Sequence, residues 1–228
     1  MNRKKSAVCS WSGGKDSCLA LNRAFKKGYE VSHLLTMFDE TGTRSRSHSV
    51  SPEVMRKQAD ALNLRLVTPS ASWQDYEKVF TGELKKLQNE GIESAIFGDI
   101  DLQAHRDWEE KVCAAANLEA VLPLWNEKRL DLVGEFFAEN FRSIVVCVNE
   151  KFLPKEFCGR IFDRNFINDL PESVDACGEN GEFHTFAFDG EIFKDPVKYV
   201  VEEIYQHQPT FPSGATSNFY YAKLGLEK

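Results

Sequence analysis

No two cysteines of this 228-residue chain stand as C-x-x-C, and none sits in a close pair with a histidine; the six are scattered at Cys9, Cys18, Cys113, Cys147, Cys158 and Cys177. A zinc ribbon, a thioredoxin-type dithiol and a cysteine-held iron–sulfur cluster all need closer spacing. Scattered thiols without a signal peptide predict reduced cysteines and a cytoplasmic setting. Long apolar runs are missing too. The basic start Met1–Lys5 is followed by a few apolar residues before Ser12-Gly13-Gly14 interrupts, too few for a signal peptide or a membrane span. Basic excess is also absent: 28 Lys and Arg face 35 Asp and Glu, a formal net charge of −7. That balance argues against a dedicated nucleic-acid binder. Neither repeats nor low-complexity segments occur. Hydrophobic residues make up 42% and charged residues 28%, which excludes disorder, and the length suits one large domain or two small ones.

What is present alternates. Short apolar runs at 7–11, 31–38, 64–67, 95–98 and 120–122 read as strands. The segments 16–27, 51–62, 73–88 and 106–117 carry apolar residues at helical spacing. Strand and helix in turn predict a parallel sheet covered on both faces. A helix over about 130–140 and an apolar strand over 144–148 follow. After Lys151 the pattern becomes irregular, with Pro154, Gly159, Pro171, Gly178, Gly181, Gly190 and Pro196. The expected organisation is an α/β domain over 1–125 and a smaller α+β domain over 126–228.

Ser12-Gly13-Gly14-Lys15-Asp16-Ser17 lies between the first strand and the first helix. Two glycines permit a sharp turn and close approach. The helix start offers free amides and a partial positive charge, and Ser12, Lys15 and Ser17 add donors. Such a set suits a pyrophosphate. A plain strand-to-helix turn is the structural alternative. The kinase and GTPase loop G-x-x-x-x-G-K-[ST] is absent.

This segment resembles the PP-loop of the ATP pyrophosphatases, an adenine nucleotide α-hydrolase-like fold. Further motifs follow in order: Arg44-Ser45-Arg46-Ser47-His48, Gln58-Ala59, Phe97-Gly98-Asp99-Ile100, Pro123-Leu124-Trp125 and Gly178-Glu179-Asn180-Gly181-Glu182-Phe183-His184-Thr185. Together they resemble the diphthine–ammonia ligase branch, from about Ala7 to Phe193. The late block departs from that branch's Glu-Gly-Gly-Glu-Phe-Glu-Thr at Asn180 and His184, where a carboxylate gives way to an imidazole.

The resemblance implies ATP with Mg²⁺, the loop holding the β and γ phosphates while an acceptor carboxylate attacks the α phosphate. An adenylate and pyrophosphate would result, and ammonia would then release AMP. Nucleotide contacts fall on Ser12, Gly13, Gly14, Lys15, Asp16, Ser17, Arg44, Gly98 and Asp99. Asp16 is a candidate for Mg²⁺ or for helix capping. His48, Glu179, Asn180, Gly181, Glu182 and Thr185 are assigned to the acceptor, with Lys15, Asp16, Glu182 and His184 in catalysis. Arg44, Arg46 and His48 read either as a phosphate lid or as a solvated loop, and the 179–185 block as the acceptor site or a half-exposed strand. Asp101 and Arg106 fit a surface ion pair, His33 a core histidine, and Cys177 a buried thiol beside the substrate block. With no glutaminase segment, free ammonium is the expected nitrogen donor. The acceptor is diphthine on elongation factor 2 or another carboxylate; the oligomeric state is left open. A tRNA-modifying PP-loop enzyme is opposed by the net charge and the missing C-x-x-C. A non-catalytic ATP-binding module is opposed by Lys15 and the complete late block.

Overall fold

The computed structural model describes residues 4–209 and 217–227, so Met1–Arg3 of the basic start lie outside the described residues. The first half alternates β1 (Ser6–Ser10), α1 (Lys15–Lys26), β2 (Glu30–Leu35), α2 (Pro52–Ala61), β3 (Arg65–Val67), α3 (Tyr76–Asn89), β4 (Ser94–Ile96), α4 (Gln103–Ala115) and β5 (Glu119–Val121). The strands form one parallel sheet in the order β3-β2-β1-β4-β5. Strand order reverses between β1 and β4. In sheets of this kind ligands bind at that point, beyond the carboxyl ends of the strands. The PP-loop-like segment follows β1 and Asp99 follows β4, so both reach the same edge.

The central strands β1 and β4 are buried on both faces, and alternation deals their side chains to two cores. Ala7, Cys9 and Trp11 point to the core that contains Leu19 and Leu21 of α1 and Val54 and Met55 of α2. Val8 points to the other, among Phe80 and Leu84 of α3 and Val112 of α4. α2 starts where Ser51 accepts from the Val54 amide, with Pro52 in its first turn. α3 begins at Tyr76 and not at Trp73, because Ser72 Oγ accepts from the Asp75 amide at 3.2 Å and holds 73–75 in a turn. α4 begins at Gln103, three residues before the expected start, which brings His105 into the helix one turn ahead of Glu109.

Beyond β5, α5 (Arg129–Ala138) leads into a second, antiparallel sheet. Its strands are β6 (Arg142–Asn149), β7 (Ile161–Phe162), β8 (Phe183–Asp189), β9 (Tyr199–His207) and β10 (Phe219–Leu226), with α6 (Arg164–Asp169) between β7 and β8. The order is β7-β6-β10-β9, and β8 pairs along β6. One apolar core continues from α1 and α2 through Phe136 to Val145 and Phe186. The expected Asp101–Arg106 pair is not made. Asp101 takes two hydrogen bonds from Arg129 at 2.7 Å, and Arg106 turns along its own helix to Glu110 at 2.7 Å. His33 is buried as expected, and burial pushes its imidazole below the usual range. All six cysteines are free and buried. No helix among the described residues is long and apolar enough to cross a membrane.

A single amide joins the two sheets. Gln58, 0% exposed, donates to Gly13 O at 2.9 Å and Ala187 O at 2.5 Å, and accepts from Trp11 Nε1 at 2.8 Å. Replacing Gln58 by Leu takes a partner from the Trp11 indole and from Ala187 O, at about 1–3 kcal/mol each, while Gly13 O keeps the Ala187 amide. We expect a loss of at least about 2 kcal/mol, read as a lowered urea midpoint at constant m-value. A loss below about 1 kcal/mol would mean that the two groups find other partners.

Candidate functional site

The turn after β1 is held by its own side chains. Ser12 Oγ lies 3.1 Å from Ser17 Oγ and accepts from the Gly14 amide at 3.2 Å, while Ser17 Oγ donates to Gly14 O at 3.1 Å. Gly13 has φ +81°, a conformation that disfavours side chains. At Gly14 a Cβ would stand 2.8 Å from His48 Cε1 and 3.0 Å from Thr185 O; at Gly98 it would stand 2.8 Å from the Ser17 amide. Those two glycines therefore serve close approach: Gly14 admits β8 and His48, and Gly98 seats the end of β4 against the start of α1.

The late sequence block meets this turn directly. Thr185 Oγ1 accepts from the Lys15 amide at 3.0 Å, and the Ala187 amide donates to Gly13 O at 2.8 Å. His48 Nδ1 donates to Thr185 O at 2.8 Å, which leaves Nε2 as the acceptor of the neutral ring, and the ring stacks on His184 at 4.6 Å. Ser47 (φ 64°) and Ser49 (φ 57°) flank His48 in the left-handed region. Internal hydrogen bonds, including Arg46 N to Met37 O at 3.0 Å and Ser45 N to Val50 O at 2.8 Å, make 39–50 a folded segment instead of a solvated loop.

Two cavities open here. The first, about 510 Å³, is lined by Trp11, Ser12, the end of β2 at Leu35–Met37, Tyr76, Trp108, Asp99 and Glu109, among others. The second, about 960 Å³, is lined by Arg44, Ser49, Asn149, Asn180, Gly181, Tyr221 and others. Arg46, Ser47, Trp73 and His184 line both.

Several expected residues take different places. Lys15 is buried, and its Nζ donates to Asp16 at 2.6 Å and to Cys177 O, 5.7 Å from the Phe183 ring centre and not among the residues lining the first cavity. Burial opposes its charge, but Asp16, then Cys177 and Glu179, hold its pKa above the ordinary value. Arg44, expected at the nucleotide, lines the second cavity instead, 41% exposed and tied to Asp39 at 3.1 Å. Arg46 lines both cavities, its guanidinium 4.4 Å from the Trp73 ring centre and donating to Glu40 at 3.1 Å and to Ala71 O, with Nε buried and without a hydrogen-bond partner among the described residues. Glu182 does not share a strand face with His184, because β8 begins after it. Its buried carboxylate accepts from the Asp175 amide (3.1 Å), the Asn180 amide (2.9 Å) and Asn180 Nδ2 (3.0 Å), which fixes the 175–182 turn. Cys177 is inert: burial pushes its thiol up to about 12, and Sγ donates to Arg129 O at 3.2 Å.

Acidic groups gather beside the first cavity. Burial, then the nearby Asp16, raises Glu179 to about 8. Burial, then a hydrogen bond with Asp99, raises Glu109 to about 11. Burial also works to raise Asp99, but hydrogen bonds from His105 (2.6 Å) and Glu109 outweigh it and hold the carboxyl low. His105 and Glu109, spaced i, i+4, were not singled out from the sequence; the early start of α4 brings His105 onto the helix that carries Glu109 to Asp99. No group of three or more His, Cys, Asp or Glu among the described residues is arranged to hold a metal ion. With Asp16 engaged by Lys15, the side chains present do not make a resident Mg²⁺ site.

The diphthamide synthase N-terminal domain matches over residues 4–120 and the diphthamide synthase C-terminal domain over residues 128–211. The chain belongs to the diphthamide synthase family. Among its relatives are proteins named diphthine–ammonia ligase from Mus musculus, 28% identical, and Homo sapiens, 26% identical; each alignment covers 86% of this chain and 83% of the relative. A protein of the same name from Schizosaccharomyces pombe is 24% identical over 86% of this chain and 36% of its own length. A solved structure titled as a predicted subunit of tRNA methyltransferase from Methanocaldococcus jannaschii aligns with TM-score 0.43 and 19% identity, over 62% of this chain and 80% of that one. In this diphthamide synthase family member, the PP-loop and the late block are neighbours in one site although more than 160 residues separate them in sequence.

The buried histidine pair gives that site a pH signature. Burial, against the Thr185 carbonyl, lowers His48 to about 4; burial, then His48 and Lys15, lowers His184 well below 6.5. An unfolded imidazole takes up its proton near pH 6.5, whereas folded His48 waits until about 4. Stability linked to His48 is therefore present above about 6.5 and falls as pH drops to about 4, by about 3 kcal/mol in all. Denaturant unfolding at pH 7.5 and 4.5 should show a smaller acid loss in His48→Asn than in the unaltered protein. Equal losses would mean that His48 takes up its proton normally.

Proposed function

We propose that this chain adenylates an acceptor carboxylate with ATP, releasing pyrophosphate, and then transfers ammonia to the adenylate, releasing AMP. As a family member it is an ATP-dependent ammonia ligase of diphthamide synthesis. One observation carries the adenylation chemistry. The cavity at the carboxyl ends of β1, β2 and β4 and the cavity at the antiparallel sheet meet at Arg46, Ser47, Trp73 and His184. A nucleotide in the first and an acceptor in the second would bring α phosphate and carboxylate together at that junction, as in-line attack requires.

The nucleotide fits the first cavity by its aromatic walls, Trp11, Tyr76 and Trp108, and by Ser12 at the α1 N-terminus. Arg46 would neutralise charge on the leaving pyrophosphate. Lys15 would act through its neighbours, holding Asp16 and the Cys177 carbonyl so that the turn before β8 stays against the loop. His184, a neutral ring at the junction, is placed to take the proton shed when ammonia adds to the acyl group. The acceptor is diphthine on elongation factor 2 in this reading. Asn180 and Gly181 on the wall of the second cavity, with His184 at its mouth, supply its contacts. Any Mg²⁺ would arrive with the phosphates, and no step here depends on it.

Two measurements test this. ATP labelled at the α or γ phosphate should yield AMP and pyrophosphate in the presence of ammonium and acceptor; ADP with orthophosphate would overturn the reading. Arg46→Met should raise the KM for ATP at least about tenfold, the worth of one charge-assisted contact, whereas Arg44→Met should act on the acceptor KM. A reversed pattern would exchange the assignments of the two cavities.

A further inference from the structure

The wall of the first cavity formed by β4 and α4 is acidic, which does not suit a polyphosphate. Asp99 and Glu109 line it, and Glu179 and Asp16 stand close enough to act on its charge. Glu109 is 3% exposed, and its Oε2 is buried with no hydrogen-bond partner among the described residues. Such an orphaned oxygen is rare in a native interior and points to a donor from outside the chain. Aromatic rings stand on the same wall: Tyr76 and Trp108 lie 5.8 Å apart, and Phe80 lies 5.1 Å from Trp108. Carboxylates beside ring faces attract a small, weakly hydrated monovalent cation. Mg²⁺ demands near-octahedral oxygen ligands, and no set of three metal-ligating side chains is present among the described residues.

We propose that Asp99 and Glu109, on the α4 side of the first cavity, bind the ammonium ion that supplies the amide nitrogen. This rests on the ligase reading above and assigns its donor a place. Buried Glu109 and half-buried Asp99 share one proton while the site holds no cation, and an ammonium ion lets both ionise, that proton leaving to water. Transfer of one ammonium proton back to the pair leaves ammonia with a free lone pair. That lone pair forms the C–N bond to the acyl carbon as the C–O bond to AMP breaks. AMP leaves with the bonding electrons, and the second N–H proton passes to His184 or water. The pair then holds one proton, the state it had before ammonium arrived.

The test uses the full chain and Glu109→Gln, with Asp99→Asn as a second variant should the first fail to fold. NH₄Cl should raise the thermal midpoint of the unaltered protein above that in NaCl at equal ionic strength, and the variant should lose that shift. In steady state the variant's KM for ammonium should rise at least ten times more than its KM for ATP. Protection by MgCl₂ without protection by NH₄Cl would overturn the proposal in favour of a divalent site. Equal rises in both KM values would overturn it in favour of a nucleotide contact. Acceptor-dependent exchange of labelled pyrophosphate into ATP, run on the unaltered protein without ammonium, tests the ligase reading separately. Its absence removes that reading, while the salt dependence of unfolding still reports on cation binding.

Discussion

Everything in the site hangs on the hydrogen bonds that tie the turn after β1 to strand β8. Gln58 grips Gly13 and Ala187 at once, Thr185 receives the Lys15 amide, and the Ala187 amide returns a bond to Gly13. All are buried, where an unmade bond costs far more than a made one contributes in water. A phosphate-binding turn is usually held by its own strand and helix. Here it is held also by a second sheet, and both cavities take their shape from that bond set.

The same bonds explain the two close glycines. A side chain at Gly14 would strike His48 and the Thr185 carbonyl, and one at Gly98 would strike the α1 backbone. Both glycines clear space so that three elements can converge: the turn, the end of β4, and β8. The electrostatics follow from this convergence. Pressing Lys15, Asp16, Asp99, Glu109 and Glu179 into one water-poor region makes their charges interdependent, so several carboxyls stay protonated far above their usual range.

The parallel sheet was legible because its signal is local. Alternating buried strands and amphipathic helices repeat the same pattern, and the expected strands lie within a few residues of those observed. The PP-loop could be read for the same reason, since six contiguous residues carry it. Non-local contacts were less accessible. Glu182 looked like an acceptor ligand, yet its partners are the amides of Asp175 and Asn180, which only the folded turn presents. Arg44 and Arg46 are two residues apart and equivalent in sequence; the direction each takes depends on the pairing of Phe38 with Ser45. His105 and Glu109 escaped attention because helix starts are the least certain part of any pattern. A three-residue shift moved His105 from the preceding loop to the face opposite Asp99.

Strand β8 also bears on how a substrate gets in. A cleft between separately mobile halves could open like a jaw and fold around its guest. Stitching β8 into the loop removes that freedom, since opening would break several buried bonds at once. On the proposed reading an acceptor would reach the junction without β8 parting from the turn. Selection among acceptors would then fall to what can reach past the mouth beside His184.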